Sequence, residues 1–222
     1  MKNKQKLSRA YRKFEHAKGN QYIASEFAVR KLAELITCFK SKRVLEVGLG
    51  IGSISGSLLD LKKDHIKCYS GTEDNSYCLK ALNKNLGVNQ SKLNIYSEIK
   101  EVPTDKKFDL VIIDGKDHNL REIEKLVSPR GIIAIEGDRL PQQSILEEMF
   151  PNNIVVHSIS LIKNSVKSPF PSDKWQGGLK IIFISPCLKQ RLWWLKEKIM
   201  TKIKYQYPGR HFGGKSSQKK KL

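Results

Sequence analysis

Four short strand-like runs, three of them apolar and each stopping beside an acid or a glycine, limit this chain more than any other feature of its sequence. The apolar ones are Val44-Leu45-Glu46-Val47, Phe108 to Ile113 and Ile132 to Ile135, and Ile66 to Thr72, second in chain order, is the more polar one. Between them, apolar residues return at helical spacing: Ile54, Leu58, Leu59 and Leu61 after the first run, Leu79 and Leu82 after the second. Runs this continuous need cover on both faces, which is the condition of a parallel sheet lying between two helical layers. The expectation is therefore an α/β, doubly wound fold. Gln21 to Lys40 reads as a preceding helix and Leu93 to Tyr96 as a weak strand. Leu120 to Val127 reads as a helix ended by the turn Pro129-Arg130-Gly131, and Pro141 to Met149 as another helix. Ile154 to Ile162 and Leu179 to Ser185 read as two further strands. The loop between them, Lys163 to Gly178, holds no convincing helix, so these strands are expected to pair antiparallel at an edge.

With 222 residues, 39% of them hydrophobic, the chain can fill a core, and the disordered, collagen-like and mucin-like classes are excluded. No run approaches the ~20 apolar residues that span a bilayer. No apolar segment follows the basic N-terminus, so no signal peptide is expected. Cys38, Cys68, Cys78 and Cys187 form no CxxC and no metal spacing, which reads as reduced thiols in a cytoplasmic protein. The net charge of +19 is uneven. Residues 1–20 carry seven Lys/Arg against Glu15, and residues 188–222 carry eleven against Glu197. The middle is nearly neutral, so the charge speaks to location or partner rather than to chemistry.

In open sheets of this kind ligands bind beyond the carboxyl ends of the strands. Standing there are Glu46 with Gly48, Gly50 and Gly52, then Glu73, Ser97 or Glu98, Asp114, Asp117 and His118, and Glu136 and Asp138. A phosphate site would present a lysine in GxxxxGK[ST], which is absent. The glycines let the chain turn tightly and expose backbone N–H groups to a ligand. A dinucleotide fingerprint would place a third glycine where Ser53 stands. The acid two residues before Gly48 suits a cationic ligand group. Glu73, at the end of the second run, can accept both hydroxyls of a ribose.

Val44 to Gly52, then Glu73, then Phe108-Asp109-Leu110-Val111-Ile112-Ile113-Asp114-Gly115 resemble the class I S-adenosylmethionine-dependent methyltransferases over about residues 21–185. The resemblance implies a Rossmann-like, mostly parallel seven-stranded sheet with an antiparallel last strand. It gives Glu46 and the glycines to the methionine end of S-adenosylmethionine, Glu73 to the ribose, and Ser97 and Glu98 to the neighbourhood of the adenine. The Asn/Asp-Pro-Pro-aromatic motif of amino-methylating members is absent, and the sole Pro-Cys, Pro186-Cys187, follows the last strand instead of the fourth. Asp114-Gly115-Lys116-Asp117-His118 is similar to the Asp-Gly-x-His of small-molecule and sugar O-methyltransferases, with one extra residue.

Transfer to a hydroxyl needs alignment with the sulfonium and a group that takes the proton. His118, Asp114 and Asp117 are the catalytic candidates, with a surface histidine as the alternative for His118. Some O-methyltransferases hold a divalent metal on acids after the fourth and fifth strands, which makes Asp114, Glu136 and Asp138 candidate ligands. The loop Lys163 to Trp175 is either a lid, with Phe170 and Trp175 free to stack on a sugar, or a plain hairpin.

The organisation read here is a basic segment 1–20, a methyltransferase domain 21–187, and a basic amphipathic helix with a disordered tail over 188–222. Leu188, Leu192, Leu195, Ile199 and Ile203 form an apolar stripe among lysines. Residues 188–207 could lie on an anionic inner-membrane surface or pack on the core. The acceptor is expected to be a sugar, glycan or other small hydroxylated molecule. RNA, steered by the basic ends, is the alternative partner, and an aminopropyltransferase-like or non-enzymatic binding protein the alternative relative.

Overall fold

The apolar runs pair into one sheet of seven strands: β1 (Arg43–Val47), β2 (Cys68–Thr72), β3 (Leu93–Tyr96), β4 (Phe108–Ile113), β5 (Val127–Glu136), β6 (Ile154–Ser158) and β7 (Leu179–Phe183). In this computed structural model residues 2–206 are described, except Lys63, Asp138 and Lys167. The strand order is β3-β2-β1-β4-β5-β7-β6. All pairs are parallel until β7, which runs against both β5 and β6. The doubly wound sheet and its antiparallel last strand are thus present.

Helices α1 (Lys2–Glu15), α2 (Glu26–Phe39), α3 (Ser53–Lys62) and α4 (Ser76–Leu86) precede the second half of the sheet. Helices α5 (Ile123–Leu126), α6 (Leu140–Met149) and α7 (Leu188–Tyr205) follow. Strand alternation divides the core. Leu45, Val47, Val111, Ile113, Ile133 and Ile135 face one layer with Ile123, Leu126 and Leu146. Val44, Leu110 and Ile112 face the other, with Phe14, Leu32, Ile36, Ile54 and Leu58.

Local chemistry sets the helix ends. Ser25 Oγ accepts from Ala28 N at 3.1 Å to start α2, and Asn75 Oδ1 accepts from Tyr77 N and Cys78 N to start α4. Two expected boundaries move. The turn at Pro129-Arg130-Gly131 is drawn into β5 because Val127 already pairs with Phe108, and the register shifts before Leu110. The helix expected over Leu120 to Val127 shrinks to a 3₁₀ turn and the short α5. Strand β6 ends at Ser158, after which Ile162 N donates back to Ser160 Oγ and turns the chain.

The expected divisions after residues 20 and 187 do not separate bodies. Tyr11 and Phe14 of α1 belong to the main core, and the Tyr11 hydroxyl donates to Ala24 O at 2.7 Å. The Trp193 ring of α7 packs edge-on against Phe39 and Phe183 at 6.0 and 5.7 Å. The tail expected to be disordered, at the end of 188–222, lies outside the described residues, which stop at Gln206.

Candidate active site

Strands β1 and β4 are neighbours in the sheet, yet the chain leaves β1 toward β2 on the other side, so a crevice opens above their ends. The loop from Gly48 to Gly52 crosses it. Gly48 has φ +86°, and a Cβ there would meet Gly115 Cα at 2.4 Å. Only glycine lets the two strand ends come this close. Gly50 has φ +53° and nothing within 4 Å of its Cβ position, so that side of the loop is open to a ligand. Gly50 N donates to Glu73 Oε2 at 2.7 Å, and Asn75 N donates to Glu73 Oε1 at 2.9 Å. A carboxylate offers about four acceptor positions, so Glu73 keeps room for two hydroxyls.

Glu46 is the unusual residue of β1. Its neighbours are core residues and it is itself fully buried. Burial pushes its carboxyl up to about 8, against the pull of the Tyr69 hydroxyl, which donates to Oε2. Among the described residues Oε1 makes no hydrogen bond, although the backbone N–H of Ser55 is near enough to pull the carboxyl down a little. A buried acceptor left unsatisfied beside an open glycine loop suits a cationic, hydrogen-bonding ligand group. Tyr69 was not singled out in the sequence. Its one signal there is a hydroxyl inside an apolar run.

Two cavities meet this loop. One, of about 310 Å³, is lined by Gly48, Thr72, Glu73, Ser97, Glu98 and His118. The other, of about 340 Å³, is lined by Tyr22, Ile23, Gly50, Asn75, Tyr77 and Asp114. A larger cavity of about 930 Å³ lies at the opposite ends of the strands, beside Arg43, Cys68 and Lys107, away from all these residues. The catalytic candidates are therefore divided. His118 stands with the residues that the resemblance gives to the ribose and adenine, and Asp114 stands across the loop.

Asp117 lines the same cavity as His118, with both carboxylate oxygens already accepting from backbone amides. Its Oδ2 accepts from Ile99 N at 2.8 Å and its Oδ1 from Asn119 N at 2.7 Å, so it ties two loops together. The lid expectation yields to the hairpin alternative. Phe170 packs against the core, while Trp175 bridges to Lys163 and carries its ammonium at 5.6 Å from the ring centre. Gln176 Oε1 accepts from Phe27 N, which pins the hairpin to α2.

The acids after β4 and β5 meet. Asp114 and Glu136 lie close enough to act on each other's charge, and both carboxyls are raised above their ordinary range, Asp114 strongly. Burial is the main cause for each, followed for Asp114 by the charge of Glu136. Arg139 holds both strand ends. Its Nε donates to Glu136 O at 2.8 Å, and its Nη2 donates to Asp114 O and lies 3.5 Å from Asp114 Oδ1. Asp114 and Glu136, as arranged here, do not suit the divalent metal weighed as a possibility. A cation already sits against them, and no group of three His, Cys, Asp or Glu converges among the described residues. Asp138, the third expected ligand, lies outside the described residues. Arg139 was missed because its position depends on which strands are neighbours.

Comparison with known proteins bears on this geometry. A model of the methyltransferase small domain matches residues 16–157. No curated protein matches in sequence. Among solved structures, an O-methyltransferase from Bacillus cereus in complex with SAH superposes with a TM-score of 0.56 at 13% identity, covering 81% of this chain and 90% of that one. The O-methyltransferase TomG from Streptomyces achromogenes, in complex with SAM, gives 0.55 at 13% identity over 83% and 90%. A precorrin-6y C5,15-methyltransferase from Geobacter metallireducens gives 0.55 at 16% identity over 76% and 93%. With its strand order, glycine loop and the family match over well more than half its length, the chain belongs to the methyltransferase small domain family and is a class I S-adenosylmethionine-dependent methyltransferase.

Proposed function

We propose that this enzyme methylates a hydroxyl oxygen of a small acceptor, with the Asp114–Glu136 pair taking the proton. The observation that carries this reading is that Asp114 borders the cavity beside the glycine loop with Arg139 against it, and that Glu136, close by, helps to raise its carboxyl.

The residues present fit S-adenosylmethionine. Glu46 offers a buried unpartnered oxygen, Gly50 leaves open space, and Glu73 retains acceptor positions. In this reading Glu46 meets the ammonium group, Glu73 the ribose hydroxyls, and Ser97 and Glu98 border the adenine. When bound, S-adenosylmethionine supplies an electrophilic methyl group on a sulfonium. The acceptor enters the cavity between Tyr22, Tyr77 and Asp114. Tyr22 is 85% exposed and frames the mouth.

The carboxyl pair holds one proton, because two buried charges in contact cannot both persist. In this reading the proton is shared between Asp114 and Glu136, and Asp114 borders the cavity. As the acceptor oxygen loses its proton, Asp114 receives it and passes its own to Glu136, so one extra proton rests on the pair. Arg139 offsets the pair's single negative charge between turnovers. Raised carboxyls make better bases near neutral pH than ordinary ones do.

The test is formation of S-adenosylhomocysteine across a panel of sugars, phenols and small amines, with EDTA present throughout. Turnover is expected with hydroxylated acceptors, and Asp114→Asn should lower kcat about 100-fold or more with cofactor affinity unchanged. Turnover confined to amines, or restored only by added metal, would overturn the reading. Loss of turnover in His118→Ala with full turnover in Asp114→Asn would move the base to His118.

A further inference from the structure

Helix α7 is oriented against the ordinary rule for amphipathic helices. The side chains it buries are Gln190, Glu197 and Thr201, with the two tryptophans partly covered. Gln190 Nε2 donates to Arg130 O at 2.9 Å, Trp194 Nε1 to Val155 O at 2.7 Å, and Thr201 Oγ1 to His157 O at 2.7 Å. Glu197, the one acid of the helix, lies 3.3 Å from Lys31 Nζ and accepts from Ser158. These polar bonds hold the opposite side outward. There Leu188 is 72% exposed, Leu192 60%, Leu195 48%, Ile199 52% and Ile203 49%.

At 3.6 residues per turn, Lys189 and Lys196 flank this stripe on one side and Arg191, Lys198 and Lys202 on the other. All five are exposed. We infer that the outward face of α7 is a docking surface for an anionic lipid bilayer, on which the helix lies with its leucine and isoleucine side chains among the acyl chains and its flanking cations at the headgroups.

Charge selects this occupant. Two copies of the face laid together would set lysine row against lysine row, with no exposed acid on the helix to alternate with them. A nucleic acid would match the cations and leave the central apolar row against phosphate. A bilayer with anionic headgroups satisfies both at once. The helix is already folded and anchored, so docking need not cover the cost of ordering it. Its last turns reach His157 and Ile159, at the same end of the sheet as the glycine loop, through Thr201 and Lys204. No helix among the described residues is long and apolar enough to cross a membrane, so this contact is peripheral.

The test is co-sedimentation of the full chain with vesicles of phosphatidylcholine, with and without phosphatidylglycerol. Binding is expected with phosphatidylglycerol only, weakening at least tenfold as salt rises from about 0.1 to about 0.5 M. The triple substitution Leu192→Ser, Leu195→Ser, Ile199→Ser keeps every charge, including those of residues 1–20 and 207–222. It should lower the partition coefficient at least tenfold while circular dichroism and S-adenosylmethionine affinity stay unchanged. Lys196→Glu with Lys202→Glu should abolish the preference for phosphatidylglycerol. Binding of the triple variant like the parent would overturn the proposal, since the basic ends would then suffice. So would equal binding to neutral vesicles, a parent that forms a dimer which the triple variant splits and ignores vesicles, or a stripe needed for RNA binding but not for vesicles. Cofactor affinity is measured on the same samples, so failure of the methyltransferase reading would show separately.

Discussion

Replacing Glu46 with glutamine should stabilise the unliganded enzyme while impairing its grip on the cofactor. The folded carboxyl sits at about 8 against 4.5 ordinarily, because it is wholly buried. At neutral pH the unfolded chain sheds this proton and the folded chain keeps it. The unfolded state then binds fewer protons, so stability falls as pH rises from 4.5 to 8 and is level on either side. At about 1.4 kcal/mol per pH unit, the penalty accumulated by pH 7 is about 3 kcal/mol. Glutamine fills the same space, its carbonyl can still accept from Tyr69, and it carries no such penalty. Urea unfolding at pH 5, 6, 7 and 8 reads this directly. The two proteins should be close at pH 5 and separate steadily to pH 7, with the variant the more stable by about 2–3 kcal/mol. The Asp114–Glu136 pair adds a slope of the same sign to both proteins, smaller in the variant because the Glu46 charge no longer raises Asp114, so the difference between them reports Glu46 together with its effect on Asp114. Parallel profiles across the whole range would refute the reasoning, since they would mean that Glu46 is already ionised when folded.

The ligand side of the experiment follows from the same charge. An ammonium group beside Glu46 draws its proton away, so binding below pH 8 should release about one proton in the parent and none from this site in the variant. Calorimetric titration in two buffers of different ionisation enthalpy counts that proton. The variant should bind S-adenosylmethionine at least about tenfold more weakly, since it offers the ammonium no charge.

Two further substitutions probe the crevice. Gly48→Ala should cost about 3 kcal/mol or more in denaturant unfolding, because a left-handed φ and a 2.4 Å approach to Gly115 Cα are both imposed on its methyl group; a cost under about 1 kcal/mol would mean that the strand ends part easily. Glu73→Ala should raise the S-adenosylmethionine Kd by about 10–100-fold by calorimetry, the range expected for losing hydrogen bonds to a charged acceptor. An unchanged Kd would remove Glu73 from the ribose.

The central strands and their acids could be read because parallel strands buried on both faces are largely apolar, as over Leu110 to Ile113 and Ile132 to Ile135, and an acid just past such a run stands at the crevice. Helix α7 could not be read in this way. Its strongest periodicity, Leu188 to Ile203, identifies a face but not the side on which that face lies. The side was decided by pairings across more than a hundred residues, Lys31 with Glu197 and Phe39 with Trp193. Asp117 shows a related limit: its place after the fourth strand brings it to the cavity that His118 lines, while its partners there, the amides of Ile99 and Asn119, leave no mark on composition.

The acids after β4 and β5 pose an electrostatic problem that strand adjacency creates. Two carboxyls at neighbouring parallel strand ends repel, and a fold can answer with a metal, a proton or a basic side chain. From sequence all three answers look alike, because each requires the same acids. Here burial and the charge of Glu136 both raise the Asp114 carboxyl, which favours a proton on the pair, and Arg139 bridges the carbonyls of both residues, so a guanidinium stands against the charge that remains. A group neutralised in this way has little left with which to attract a divalent ion. It does have the capacity for one more proton, which is what removal of a hydroxyl hydrogen demands. The same arrangement that argues against metal at these acids therefore argues for proton transfer through them.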